Sequence, residues 1–260
     1  MPRDALGVLS EIKRSFITKQ LKEGKRGDGR GLLDFREATI TTNYVPRAAG
    51  SAMVKLGRTR VLAGVKIESG EPFPDTPNSG VLTTNVELLP MAFPTFEAGP
   101  PNETSIEIAR VVDRGIRESK MIDTQKLVIE PGKKVWIVFV DINIMDFDGN
   151  LIDACTLAAV SALRSAFIPA SKEGGKDMPL PVDQIPVSVT MVKIGDELVC
   201  DPDLGNCSTI MAELNASDMT FEISTDLLSG PGLFLSSTLK AAMLYLAFTT
   251  AFSMSCVCFG

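Results

Sequence analysis

The chain has 260 residues, with 26 Lys and Arg against 32 Asp and Glu, five cysteines, one tryptophan and no histidine. That length suits one large domain or two modest ones, and a composition 45% hydrophobic and 22% charged describes a folded globular chain rather than a disordered one. The missing histidine excludes Ser-His-Asp and Cys-His nucleophile systems, an imidazole base and any His-containing metal site. The net charge of −6 argues against indiscriminate coating of nucleic acid, although it leaves room for a local basic site.

The cysteines (Cys155, Cys200, Cys207, Cys256 and Cys258) are odd in number and irregularly spaced. They make no disulfide framework, and Cys256-x-Cys258 is not a zinc spacing. Met1-Pro2-Arg3-Asp4 leads straight into charged sequence without a secretory apolar segment, so a reducing cytoplasm is the expected location.

Along the chain, residues 5–23 read as an amphipathic helix with Leu9, Ile12, Phe16 and Leu21 on one stripe. The run Gly24 to Gly31 breaks it. Strand patterns follow over 38–42, 51–56 and 60–66, with Gly57-Arg58-Thr59 placed as a hairpin turn. The Pro-rich run Gly70 to Gly80 is a loop, and 81–90 a further strand. A helix is expected from Pro100 to about Lys120, with Thr104 and Glu107 at capping-box spacing. Then come a strand over 135–144, a hairpin signal at Asp148-Gly149, an Ala-rich helix over 153–167, a connection at 171–186 and strands from 187 to about 225. This order predicts an α+β fold with mixed sheets.

From Leu227 onward the only charged residue is Lys240, and Ala241 to Gly260 carry none. Twenty uncharged residues reach transmembrane length. Their Thr, Ser and Cys, with no basic cluster following, favour a buried terminal helix or an aberrant C-terminus over a membrane anchor.

Several motifs admit two readings. Gly27-Asp28-Gly29-Arg30-Gly31 offers a glycine loop for phosphate but lacks dinucleotide-binding spacing, so a plain turn is preferred. Asp141, Asn143, Asp146, Asp148 and Asn150 fit no calcium-loop register. Carboxylates for acid–base work could be drawn from Asp201, Asp203, Glu213 or Asp218, a weak signal. Arg110, Arg114 and Arg117, spaced four and three apart, fall near one helical face and could grip successive phosphates. The competing reading is a solvated face with local pairs, Glu107 standing three before Arg110 and Asp113 four before Arg117.

Taken together, Arg26-Gly27-Asp28-Gly29-Arg30, residues 50–57, residues 106–114, Val128-Ile129-Glu130-Pro131-Gly132 with Trp136, and residues 148–154 resemble the RNase PH family, and within it the RNase PH-type subunits of the archaeal exosome core. The agreement runs from about residue 5 to 204 and fades beyond about Ser229. The resemblance implies an RNase PH-like fold in two α+β halves: a lead-in over 1–30, a first half over 31–170, a connection over 171–186 and a second half over 187–260. The family's closing charged helix is not recognisable after residue 230, which suggests a truncated or frameshifted end.

Active members of the family cleave RNA from the 3′ end with inorganic phosphate, which they bind on a hydroxyl residue and an arginine. Here Leu151 and Ile152 stand in those places. Thr104-Ser105 stand where a second family arginine lies, and Ala212 stands six residues before Asp218 where the family carries an acidic residue. The resemblance therefore implies a non-catalytic subunit with no cofactor of its own. Its implied partners are a catalytic RNase PH-type paralogue, which uses the inorganic phosphate and alternates with this chain in a hexameric ring (a trimer of heterodimers), together with RNA-binding cap subunits and single-stranded RNA; no membrane is expected. The implied RNA-binding residues are Arg110, Arg114 and, less directly, Arg117. The rival readings are a chain that phosphorolyses RNA by itself and a protein anchored in a membrane by its uncharged end.

Overall fold

The computed structural model describes residues 16–169, 176–194, 197–204 and 219–224. Expectations on residues 5–15, on 170–175 within the connection, on Cys207, Ala212, Glu213 and Asp218, and on the uncharged stretch from Leu227 to Gly260 with Cys256 and Cys258 lie outside these. Among the described residues no helix is long and apolar enough to cross a membrane.

Residues 16–22 are helical (α1). A six-stranded sheet is built from β1 (Ala38–Thr42), β2 (Gly50–Leu56), β3 (Thr59–Gly70), β4 (Val81–Leu88), the short β5 (Val128–Glu130) and β6 (Lys134–Asp146). Its strand order is β1-β2-β3-β6-β4, with β5 paired to β6. All pairs are antiparallel except β4 and β6. Two antiparallel neighbours need only tight turns, whereas the parallel pair needs a crossover. That crossover is α2 (Glu103–Glu118), followed by the 3-10 turn Thr124–Leu127. After β6 come α3 (Leu151–Arg164), the two-residue pair β7 (Phe167–Ile168) and β8 (Met178–Pro179), and a three-stranded antiparallel sheet in the order β10-β9-β11. Its strands are β9 (Val187–Ile194), β10 (Glu197–Cys200) and β11 (Met219–Ser224).

Alternation sets the core. Val61, Ala63, Val65 and Ile67 of β3 face Ile144, Ile142, Val140 and Val138 of β6, and all eight are buried. A period of two on both strands puts every one of these side chains on a single face. That face is covered by α3, whose small residues Ala154, Cys155, Ala158, Ala159 and Ala162 are fully buried. They let the helix approach β2 so closely that a Cβ at Gly50 would lie 2.5 Å from the Ala162 carbonyl oxygen. The other side of α3 meets β9, so one apolar helix is shared between the large and the small sheet.

Boundary expectations are corrected in five places, the first being α3, which runs from Leu151 to Arg164 rather than over 153–167 and leaves Phe167 to open β7. The α2 cap is Asn102, not Thr104: the Asn102 side chain accepts from the Ser105 amide at 2.9 Å, putting Thr104 inside the first turn. Helix α2 also stops at Glu118, with Lys120 in a left-handed conformation of φ 52°. Asp148-Gly149 makes no hairpin; with φ 82° at Gly149 and 51° at Asn150, the turn delivers the chain from β6 into α3. Phe16, expected on the buried stripe of α1, is 59% exposed, while Ile17 packs with Leu21 against Val192, Ile194 and Val199. Ile17 is one helical turn before Leu21, whereas Phe16 falls well round the helix from it.

Candidate functional site

Two places concentrate polar side chains. The first is a hollow of about 420 Å³ between α2 and the edge strand β4. The side chains that decide its chemistry are Arg110, Asp113 and Arg117 on α2, Thr84 on β4, and Phe73 from the Pro-rich loop. Helix α2 is strongly amphipathic: Ile108, Val112 and Ile116 are buried, and the arginines lie on the opposite, exposed side.

The three arginines do not act alike. Arg117 donates from Nε to Asp113 Oδ2 at 2.6 Å and from Nη2 to the Leu82 carbonyl of β4. It is thus held by the local pair its spacing suggested, and it also caps one carbonyl of an open sheet edge. Asp113 accepts in addition from Thr84 Oγ1 at 3.1 Å. Arg110 lines the same hollow, is exposed, and makes no hydrogen bond or ion pair among the described residues. Arg114 is exposed but is not part of the lining. At 100° per residue Arg114 and Arg117 fall on opposite sides of Arg110, so the row is divided by the hollow's edge.

The second place is a buried cluster centred on Asp201, whose left-handed φ of 47° follows the end of β10. Its carboxylate is fully buried. It accepts from the Arg36 amide and Nε, both at 2.9 Å, from Arg36 Nη2 at 2.8 Å, from Arg30 Nη1 at 2.8 Å and from Asn150 Nδ2 at 2.7 Å. Burial alone would raise this carboxyl. The Arg36 and Asn150 bonds, with the Arg36 charge, outweigh it and lower it to about 2. Arg26 donates to the carbonyls of Cys200 at 2.6 Å and Asp201 at 2.8 Å. The loop read as a plain turn is a turn, and its Arg30, with Arg26 just before it, pins the lead-in segment to the end of β10.

The cluster continues into the first turn of α3. Arg36 Nη1 donates to the Asp148 carbonyl at 2.6 Å, and the buried Thr59 hydroxyl donates to the Gly149 carbonyl at 2.8 Å. A Cβ at Gly149 would lie 2.7 Å from the Pro202 carbonyl oxygen, so glycine is required there for space as well as for φ. Asn150 Nδ2 bridges Asp201 to Asp153 Oδ2 at 2.8 Å. Asp153, also buried, accepts from Ser188 Oγ at 2.6 Å, Thr190 Oγ1 at 2.9 Å and the Thr190 amide at 2.8 Å. Its carboxyl is raised by burial, against the opposing pull of those bonds.

Leu151, beside them, is 8% exposed, and Ile152 packs on the same core. Ser105, in the first turn of α2, is buried and turns its hydroxyl back to the Asn102 carbonyl at 2.8 Å. Of the carboxylates considered from sequence for acid–base work, Asp201 proves to be a structural counter-ion. Arg36 and Thr59 escaped the sequence reading because their partners lie 165 and 90 residues away. Among the described residues no group of three or more His, Cys, Asp and Glu is arranged to hold a metal.

This geometry has close counterparts. Residues 34–169 match the 3′ exoribonuclease family, domain 1, RNase PH. The exosome complex component Rrp42 of Thermoplasma volcanium is 70% identical over 204 residues, 78% of each chain. That of Archaeoglobus fulgidus is 51% identical over 227 residues, 87% of this chain and 84% of the relative. In three dimensions, a chain of the Archaeoglobus fulgidus exosome with RNA bound to the active site superposes with a TM-score of 0.77 at 45% identity, covering 92% of this chain and 94% of that one. A chain of an archaeal exosome core gives 0.73 at 42% identity, over 95% and 94%. With more than half its length matched by the family's profile and its α+β architecture shared, the chain belongs to the RNase PH family.

Proposed function

We propose that this chain is a non-catalytic subunit of an archaeal-type exosome core, a structural and RNA-binding component that shapes the active site of a catalytic RNase PH-type paralogue during 3′-to-5′ RNA degradation. The observation that carries the non-catalytic part is the first turn of α3. Leu151 and Ile152 are both taken up by the core, and neither side chain can donate to an anion. The two polar side chains of that turn, Asn150 and Asp153, are bonded inward to each other, to Asp201 and to β9. Similarity to exosome components along most of the chain supports the assembly.

In this reading the chain needs no cofactor, and inorganic phosphate is used by the paralogue. The two alternate in a hexameric ring, a trimer of heterodimers topped by RNA-binding cap subunits in the cytoplasm. The contribution of this chain is positional. Arg110 presents an uncommitted guanidinium at the rim of the α2 hollow, and Arg114 stands one turn further along the helix. Guanidinium groups fixed on a helix can hold the RNA backbone by its phosphates, without regard to sequence, in line for attack at the partner's site.

The test is phosphate-dependent 3′ trimming of a labelled single-stranded RNA. The chain alone should be silent, and its mixture with the paralogue active. Arg110→Ala/Arg114→Ala in the mixture should lower kcat/KM by about a hundredfold, the scale of lost substrate orientation. Trimming by the chain alone would overturn the non-catalytic assignment.

A further inference from the structure

We infer that Phe73 is a stacking platform for one base of the single-stranded RNA whose phosphate Arg110 holds; this rests on the RNA-binding reading above and adds a second, base-directed contact to it. Phe73 is 57% exposed although the fold has an aromatic cluster of its own, Phe93, Phe96 and Phe147, with ring centroids 5.2 to 5.6 Å apart. It sits between Pro72 and Pro74, where the fixed φ of proline limits backbone freedom. The loop is tied down at several points. The Phe73 carbonyl accepts from the Thr76 amide at 3.0 Å, the Pro77 carbonyl from the Gly132 amide at 3.1 Å, and the Gly80 amide donates to the Thr124 carbonyl at 2.8 Å. An exposed aromatic on a braced loop is preorganised, so little ordering entropy is lost when a flat partner lands on it.

The surroundings choose the partner. Phe73 lines both the α2 hollow and a neighbouring one of about 490 Å³, formed by Glu71, Pro72, Pro74, Pro77, Gly132 and Lys133. In the first hollow Asp113 is engaged by Arg117 and Thr84, which leaves Arg110 as an uncompensated positive charge on a chain of net −6. Lys133 stands on the far side, 80% exposed, with its ammonium 3.9 Å from the exposed Glu130 carboxylate, a pair loose enough to leave it open to a phosphate. An exposed ring with cations on either side matches the alternation of base and phosphate in a single strand. Stacking on such a ring is tolerant of sequence, because every base offers a π face.

The experiment uses the full-length chain with a Phe73→Trp reporter. Trp136, the only native tryptophan, is 8% exposed and gives a steady background. Titration with a single-stranded 12-nucleotide RNA should quench the new emission saturably. Phe73→Leu should weaken binding of that RNA by roughly tenfold, the scale of one lost base stack, with the melting temperature unchanged. An abasic oligomer of the same length should bind the native chain and Phe73→Leu equally.

Equal RNA affinity of the native chain and Phe73→Leu, with Arg110→Ala weakened, would overturn the platform while leaving the RNA-binding reading intact. If neither variant changes affinity and no quenching occurs, both readings fail. Loss of assembly with the paralogue in Phe73→Leu, at unchanged RNA affinity of the chain, would assign the ring to a subunit contact and refute the proposal.

Discussion

Replacing Asp201 by Asn removes one charge from the most heavily bonded carboxylate among the described residues, and the structure sets the size of the consequence. The side chain is fully buried, and the Arg30 and Arg36 side chains that point at it are only 15% and 9% exposed. Breaking a buried pair by removing one partner costs about 3–5 kcal/mol, because the remaining charge is neither solvated nor neutralised. Here two cations remain but Arg36 keeps Asp148 and Gly149 carbonyls and Arg30 keeps Asp28, so the expected loss lies near the lower end, about 3 kcal/mol. An asparagine retains one acceptor oxygen but turns an NH2 toward guanidinium donors, so the isosteric change gives little relief. The assay is urea denaturation of the full chain followed by circular dichroism, compared through the midpoint at constant slope.

The pH dependence separates charge from packing. The Asp201 carboxyl falls from an ordinary 3.8 to about 2 in the folded chain, so its ionised form is favoured by folding. Its contribution, roughly 2 kcal/mol, is complete above pH ~4 and is lost as the pH falls toward 2. The gap between the native chain and Asp201→Asn should therefore narrow over that interval. A variant within about 0.5 kcal/mol of the native chain at pH 7, or a gap unchanged down to pH 2, would refute the counter-ion role.

Three further substitutions probe the same region and the α2 scaffold. Gly149→Ala forces a left-handed φ on a residue with a Cβ and drives that Cβ into the backbone at Pro202 and Asp203; a loss of about 2 kcal/mol or more is expected in the same denaturation assay. Asn102→Ala removes the α2 cap and should cost about 1 kcal/mol by thermal denaturation, whereas Thr104→Ala should be nearly neutral. Asp153→Asn can direct its carbonyl to the Asn150 and Thr190 N–H donors and its NH2 to the Ser188 and Thr190 hydroxyls, which rotate to accept. It should therefore stay within about 1 kcal/mol of the native chain at pH 7, while Asp153→Ala, which orphans the Thr190 amide, should cost about 3 kcal/mol. Because burial raises the Asp153 carboxyl, its stabilising contribution is complete below its ordinary value and is lost as pH rises through the raised one, a trend that Asp153→Asn should abolish.

The strands were legible because alternation is a local property: the buried set of β3 and β6 can be picked out by reading every second residue. The α2 groove was partly legible, since Asp113 and Arg117 announce their pair by a spacing of four. What spacing could not convey was that Arg117 would reach across to the Leu82 carbonyl, or that the hollow would pass between Arg110 and Arg114. The α3 entry was misread as a hairpin because Asp148-Gly149 is an equally good turn signal for either path. The choice is made by Thr59, Arg36 and Pro202, which no local window contains. The Asp201 cluster was least legible of all: its donors are Arg30 of the lead-in, Arg36 ahead of β1 and Asn150 at the start of α3, and only the folded chain brings them to the end of β10.

That cluster bears directly on the proposed lack of catalysis. The N-terminus of a helix ordinarily welcomes an anion, through free amides and the positive end of the dipole. At α3 the chain has already supplied carboxylates of its own. Asp153 lies in the first turn, and Asp201 is joined to it through Asn150, with both carboxylates buried. An inorganic phosphate approaching this end would find backbone amides but no side-chain donor at Leu151 or Ile152, and an ionised Asp201 within the neighbouring bonded cluster. Supplying one hydroxyl, for instance by Leu151→Ser, would therefore leave the charge balance unfavourable. A phosphate site at this end would need the whole first turn and its distant counter-ion to change, so a single substitution is expected to leave the chain silent in phosphate-dependent trimming.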